Sequence, residues 1–178
     1  QQVTRTVNVV DTTSPVITLN GDAVVTIEVG GSYTEFEATV SDNYDTGLSA
    51  TIDSSAVNTS VVDSYTVTYN VTDGNSNVAQ QVTRTVNVVD ITKPVISLTG
   101  DAVVTIEAGT PYQDQGVTVS DNYDTNLTVT IDSSAVNTSV LGSYSVIYSA
   151  TDSSLNQAVQ VTRAVNVVDT TSPVITLI

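Results

Sequence analysis

One eleven-residue string, QQVTRTVNVVD, fills positions 1–11 and again 80–90, and returns with two changes as VQVTRAVNVVD at 159–169. The offset is 79 residues each time and holds along the chain without insertion. SDNYDT at 41–46 recurs at 120–125, and TIDSSAVNTSV at 51–61 recurs unchanged at 130–140. A fixed period of this length means that one small unit is used repeatedly, and each copy must close its own core. Residues 12–90 and 91–169 agree at about two-thirds of positions, so the differences show what the unit tolerates. Around 34–38, TEFEA becomes QDQGV, a change expected of an exposed edge or loop. Residues 1–11 copy the last strand of a unit, and TTSPVITLI at 170–178 copies the first. The expected organisation is the last strand of a preceding repeat at 1–11, full repeats at 12–90 and 91–169, and the first strand of a following repeat at 170–178. The expectation is a window on a longer array.

Alternation with period two runs through both copies, in segments rich in Val, Ile, Thr and Tyr, as half-buried strands require. Val82, Val86 and Val88 share one face, with Thr83, Thr85 and Asn87 on the other. Tyr65, Val67, Tyr69 and Val71 alternate with Thr66, Thr68, Asn70 and Thr72. No segment carries an apolar period of 3.6 with helix caps. The pattern predicts an all-β chain of two tandem antiparallel sandwiches, about seven strands each, near 15–19, 24–29, 33–41, 48–53, 57–62, 64–72 and 78–89 in the first copy. Pro15 and Pro94 suit the first residue of an edge strand. Asp73-Gly74 opens a turn between the last two strands. Tyr65 and Tyr144 stand where a sandwich places a tyrosine corner.

Composition removes whole classes of chemistry. The chain has no Cys and no His, which excludes disulfides, thiol nucleophiles, imidazole acid–base catalysis and histidine metal sites. Nineteen acids against four bases give a formal charge of −15, which opposes binding to nucleic acid and to anionic membranes. Apolar runs are too short for a membrane span, and no signal-peptide pattern is present.

The order of PVI, TIE, SDN, TYxxTD and RTVNVVD, covering both repeats, resembles the bacterial surface Ig-like domain family. Its modules occur in tandem in large secreted adhesins, and singly beside enzymes or in pesticidal crystal proteins. The chain departs from the family at TDGNSN (TDSSLN in the second copy), where the family more often has a TDxxGN turn. The resemblance implies an extracellular stalk module of a bacterial cell surface or secreted protein, with no catalytic residues.

Tracing strand directions brings four carboxylates to one pole of each unit. These are Asp11, Asp42, Asp45 and Asp73 in the first, and Asp90, Asp121, Asp124 and Asp152 in the second. Like charges packed together repel unless solvated, protonated or neutralised by a cation. Ca²⁺ takes six to eight oxygen ligands, and Asn43, Asn75, Asn77, Asn122 and Asn156 add neutral oxygens nearby. One expectation is therefore a Ca²⁺ site that stiffens each interdomain junction. The other is that Asp and Asn make metal-free Asx-turns at strand ends. Asp73, Asn75 and Asn77 have the opening spacing of an EF-hand loop, but Val78 and Arg84 stand where it needs Gly and Glu, so an EF-hand is rejected.

Other residues are expected to be structural. Glu28 and Glu107 read as solvent-facing or Arg-paired strand carboxylates rather than an acid–base pair with Asp53. Arg5, Arg84 and Arg163 share the apolar-facing parity of the last strand, as a cross-strand ion pair or a snorkelled stem would require. Lys93, the only lysine, lies in the linker, so a Lys–Asn isopeptide staple within a sandwich is excluded. Tyr44 and Tyr123 are the candidate exposed platforms for a sugar. A short linker with Pro94, and charges of −9 and −6 on the two repeats, predict extended, self-repelling rods. The leading expectation is a spacer whose partners are the adjacent repeats of the same chain. The alternatives are a filament subunit self-associating by strand exchange and a glycan- or protein-binding adhesion module.

Overall fold

The computed structural model of the chain describes residues 1–177, and it divides into two units with the boundary between Asp90 and Ile91. The first unit holds β1 (Val16–Leu19), β2 (Val24–Glu28), β3 (Ala38–Ser41), β4 (Thr51–Asp53), β5 (Asp63–Asn70) and β6 (Val82–Val89). The second repeats them as β7 (Val95–Leu98), β8 (Val103–Glu107), β9 (Val117–Ser120), β10 (Val129–Asp132), β11 (Gly142–Ala150) and β12 (Val161–Val168). No helix occurs among the described residues.

Each unit packs a two-stranded sheet on a four-stranded one. In the first, β1 pairs with β3, and the larger sheet runs β2-β6-β5-β4; in the second, β7 pairs with β9 beside β8-β12-β11-β10. The alternating apolar positions supply the filling between the layers. Ile17, Val67, Tyr69, Val71, Ala79 and Val86 form the first core, and Ile96, Val146, Tyr148, Ala150, Ala158 and Val165 the second. The tyrosine corners form as expected: the Tyr65 hydroxyl donates to the Val61 carbonyl at 3.1 Å, and that of Tyr144 to Val140 at 2.8 Å.

Two expectations change. The strand expected at 57–62 is a pair of turns, leaving six strands per unit. Val57 N–H donates to Ser54 O, and the Asn58 side chain accepts from Ser60 N–H at 3.0 Å, so short polar side chains outcompete a ladder there. Nor are the sheets wholly antiparallel. The chain leaves β1, crosses at Gly21 and continues in the same direction as β2 on the other sheet, where it pairs parallel with β6, Val25 opposite Val86. Gly21 has φ +72°, the left-handed turn that permits the crossing. The second unit does the same, with β8 parallel to β12.

Arg84 and Arg163 fill the end of each core, each with no solvent exposure. They are neither snorkelled nor paired across a strand. The Arg84 guanidinium forms an ion pair with Glu35 and donates to the carbonyls of Asn20 and Asp22, on the crossing between β1 and β2. Arg163 likewise pairs with Asp114 at 3.1 Å and donates to the carbonyls of Thr99, Asp101 and Gly116. Tyr33 and Tyr69 donate their hydroxyls to Glu35, as Tyr112 and Tyr148 do to Asp114. The guanidinium of Arg84 also lies 5.5 Å from the Tyr69 ring centre, and that of Arg163 5.6 Å from Tyr148. Arg5, in the identical string at 1–11, is exposed.

Removing one partner from such a buried network strands the others without water. Arg163→Ala is expected to cost about 3–5 kcal/mol in urea unfolding, against less than about 0.5 kcal/mol for Arg5→Ala. Burial works to raise the pKa of Glu35 and of Asp114. The donated tyrosine hydroxyls, backbone N–H groups and the arginine outweigh it, so both carboxyls sit below their ordinary values of 4.5 and 3.8. A folded-state pKa that is depressed contributes stability above the ordinary value and loses it as pH falls through the folded one. The urea midpoint should therefore drop below pH 4.5. That acid-dependent loss should be smaller in the double variant Glu35→Gln, Asp114→Asn, measured by the same titration.

Candidate metal centre

The expected convergence of acids occurs twice along the chain. One carboxylate oxygen from each of Asp11, Asp42, Asp45 and Asp73 lies within 4.8 Å of the others, and the same holds for Asp90, Asp121, Asp124 and Asp152. In the first group, Asp11 comes from the segment before β1, Asp42 and Asp45 from the loop after β3, and Asp73 from the turn after β5. Asp73, Asp90 and Asp152 are buried, and the other five are half-buried.

The loops are built by the carboxylates themselves. Asp42 Oδ2 accepts the N–H groups of Tyr44 and Asp45, both at 2.9 Å. Those N–H groups hold its carboxyl below the usual aspartate value. Asp45 reaches across to accept from Gly74 N–H at 2.9 Å. Asp73 Oδ1 accepts from Asn75 N–H and Asn77 N–H, while its Oδ2 accepts from the Asn77 amide at 2.7 Å. Asp11 Oδ1 accepts from Thr13 N–H at 3.0 Å. The second group repeats this with Asp121 on Tyr123 and Asp124 N–H, and Asp152 on Asn156. Ser153 replaces Gly74 and adds a hydroxyl donated to Asp124.

Asx-turns thus account for one oxygen of several carboxylates. The partner oxygen is a different matter. Asp11 Oδ2, Asp42 Oδ1 and Asp121 Oδ1 are each buried and accept no hydrogen bond from the described residues. A buried, unsatisfied carboxylate oxygen is expensive unless a cation or water answers it. An oxygen-only donor set of this kind suits a hard cation such as Ca²⁺.

Other candidates are placed elsewhere. Among the described residues Glu107 forms no ion pair with arginine and accepts instead from Thr170 and Thr171. Asp53 is engaged by the N–H and hydroxyl of Ser55 in its own turn. Tyr44 is 71% exposed beside a shallow polar recess lined by Val9, Asp11, Asn43 and Asn75, whereas Tyr123 is half-buried. Sequence reasoning missed Glu35 and Asp114, whose segment was expected to be an exposed edge or loop. A signal was present: between TEFEA and QDQGV every position differs, yet the second is acidic in both.

In the TDGNSN and TDSSLN loops a non-glycine residue takes left-handed backbone. Ser76 and Leu155, at the position of the family's glycine, have φ +73° and +71°. A branched apolar residue in the left-handed region is strained by about 1–2 kcal/mol, and Leu155 is exposed, so its side chain gains little from packing. Leu155→Gly is accordingly expected to leave the second unit as stable or up to about 1 kcal/mol more stable in urea unfolding, after the entropy cost of glycine.

Residues 17–88 and 96–167 each match the family described as bacterial surface protein, Ig-like domain. Among solved structures, the chain is similar to the lipoprotein BT2262 of Bacteroides thetaiotaomicron, at 22% identity and TM-score 0.36. That match covers 45% of this chain and 40% of the lipoprotein. No curated protein matches the chain. With two matched regions that together span most of its length, each with its own sandwich, the chain belongs to the bacterial surface Ig-like domain family.

Proposed function

We propose that the two units are spacer repeats of a bacterial surface stalk, and that each acid group binds one Ca²⁺ that stiffens the chain where it enters the unit. The observation that carries this reading is the set of buried carboxylate oxygens without a donor, gathered with other carboxylates in both repeats. Four carboxylates bring −4 to the site, and a divalent cation halves that charge while supplying what the unsatisfied oxygens lack. Asp11 and Asp90 lie at the entry of the chain into each repeat, so an ion shared with the loops after β3 and β5, or after β9 and β11, would tie the entering chain to the sandwich. Surface membership of the family and tandem repetition support the spacer role. The reading assigns no catalytic residue. Its place is extracellular, and its immediate partners are neighbouring repeats of the same chain.

Thermal unfolding in millimolar Ca²⁺ and in EDTA, at one ionic strength, tests it. Binding to the folded state alone stabilises by about 2.7 kcal/mol at a hundredfold excess over Kd, which moves the midpoint of a domain this small by about 10 °C or more. Asp42→Asn and Asp121→Asn retain an acceptor for the turn N–H groups but lose the charge. Each should abolish the rise in its own unit without abolishing folding. Equal midpoints in Ca²⁺ and EDTA would leave the acids as turn-formers only.

A further inference from the structure

We propose that Glu107 is a positioning clamp that fixes the course of the chain as it leaves the second sandwich. The parallel pairing of β8 with β12 makes this possible. Glu107, the last residue of β8, stands in register with Val168, the last of β12, so the two strands finish at the same pole. An antiparallel partner would have put the carboxylate at the opposite end. From there Glu107 reaches the residues that follow β12. Its Oε1 accepts from Thr170 N–H at 2.9 Å, Thr171 N–H at 3.2 Å and the Thr171 hydroxyl at 2.8 Å. Its Oε2 accepts from Thr170 N–H at 3.1 Å and the Thr170 hydroxyl at 2.7 Å.

One carboxylate thus gathers two consecutive N–H groups and two hydroxyls, from residues that lie outside any strand. Asp169 Oδ1 closes the same turn by accepting from Thr171 N–H at 3.1 Å. The hydroxyl and N–H of Thr170, then those of Thr171, hold the Glu107 carboxyl at about 2. Hydrogen bonds to an ionised acceptor are stronger than neutral ones, and they oppose the conformational entropy that an irregular exit segment would otherwise keep. The clamp also sets the position of Asp169, third in the 79-residue series of Asp11 and Asp90. It does not depend on calcium, and its test is run in EDTA so that the two readings fail separately.

Amide hydrogen exchange by NMR, on the whole chain at neutral pH, provides that test. In the wild type, Thr170 and Thr171 N–H should be protected, and in Glu107→Ala both should exchange about tenfold faster or more. The amides of Val146 and Val165 in the core should be unchanged, showing that the sandwich persists. Carbon-detected titration of Glu107 gives a second readout. Its midpoint should lie near 2 in the wild type and move toward 4.5 in the Thr170→Val, Thr171→Val double variant. Equal exchange of the two threonine amides in wild type and Glu107→Ala, or an ordinary Glu107 titration in the wild type, would overturn the proposal.

Discussion

A guanidinium sealed from water needs its donors answered, and in each unit the answers come from stretches of the chain far apart in sequence. Arg84 binds the carbonyls of Asn20 and Asp22 on the crossing between sheets, and the carboxylate of Glu35 on the irregular segment before β3. Both segments lie outside the strands, joined to each other by one backbone bond, Asn20 N–H to Glu37 O at 3.1 Å. The arginine thus ties the crossing at Gly21, between the end of β1 and the start of the parallel run of β2 beside β6, to the segment that carries Glu35. The carboxylate is in turn held by two tyrosine hydroxyls, one from the same segment and one from the core strand β5. Arg163 repeats the arrangement with a shorter acid, Asp114, in the same role. Such a network adds less net stability than its bond count implies, because two charges lose their hydration. What it supplies is a partner for each carbonyl that the crossing turns toward the guanidinium.

The strands that are central or carry strict alternation were legible. β5 and β6 follow from the parity of Tyr65 to Val71 and Val82 to Val88, because one face of each must be buried whatever the details of the turn. The acid pole was legible too, since strand directions alone bring Asp42, Asp73 and their counterparts to one end. The segment 57–62 was not. Its Val57 and Val61 have strand character, but Ser54 and Asn58 offer local acceptors that a periodicity argument does not weigh. Nor was the parallel pairing, because alternation reads the face a residue occupies and is silent on the direction of the neighbouring strand. Glu35 was hidden by the variability around it: a segment that differs at all five positions reads as surface, while the acidic character of one of them is held by a partner 49 residues away in the core.

In the acid groups, the two oxygens of one carboxylate stand in different surroundings. Asp42 spends Oδ2 on two backbone donors and turns Oδ1 inward. The donors that shape the loop also keep the group ionised, so the loop prepares the charge that it gathers. Clustered aspartates at strand ends are therefore poor evidence for or against a metal until each oxygen is followed separately.

The parallel pairing of β2 with β6, and of β8 with β12, also bears on tension along the chain. Pulling backward on the start of β2 and forward on the end of β6 drives two strands that point the same way past each other, in shear. The evenly spaced ladder between them then shares the strain across several hydrogen bonds at once, where a hairpin pulled from its open end would lose its bonds singly, in sequence. Traction that reaches the start of β2 through β1 and leaves by the end of β6 therefore loads this pair in shear.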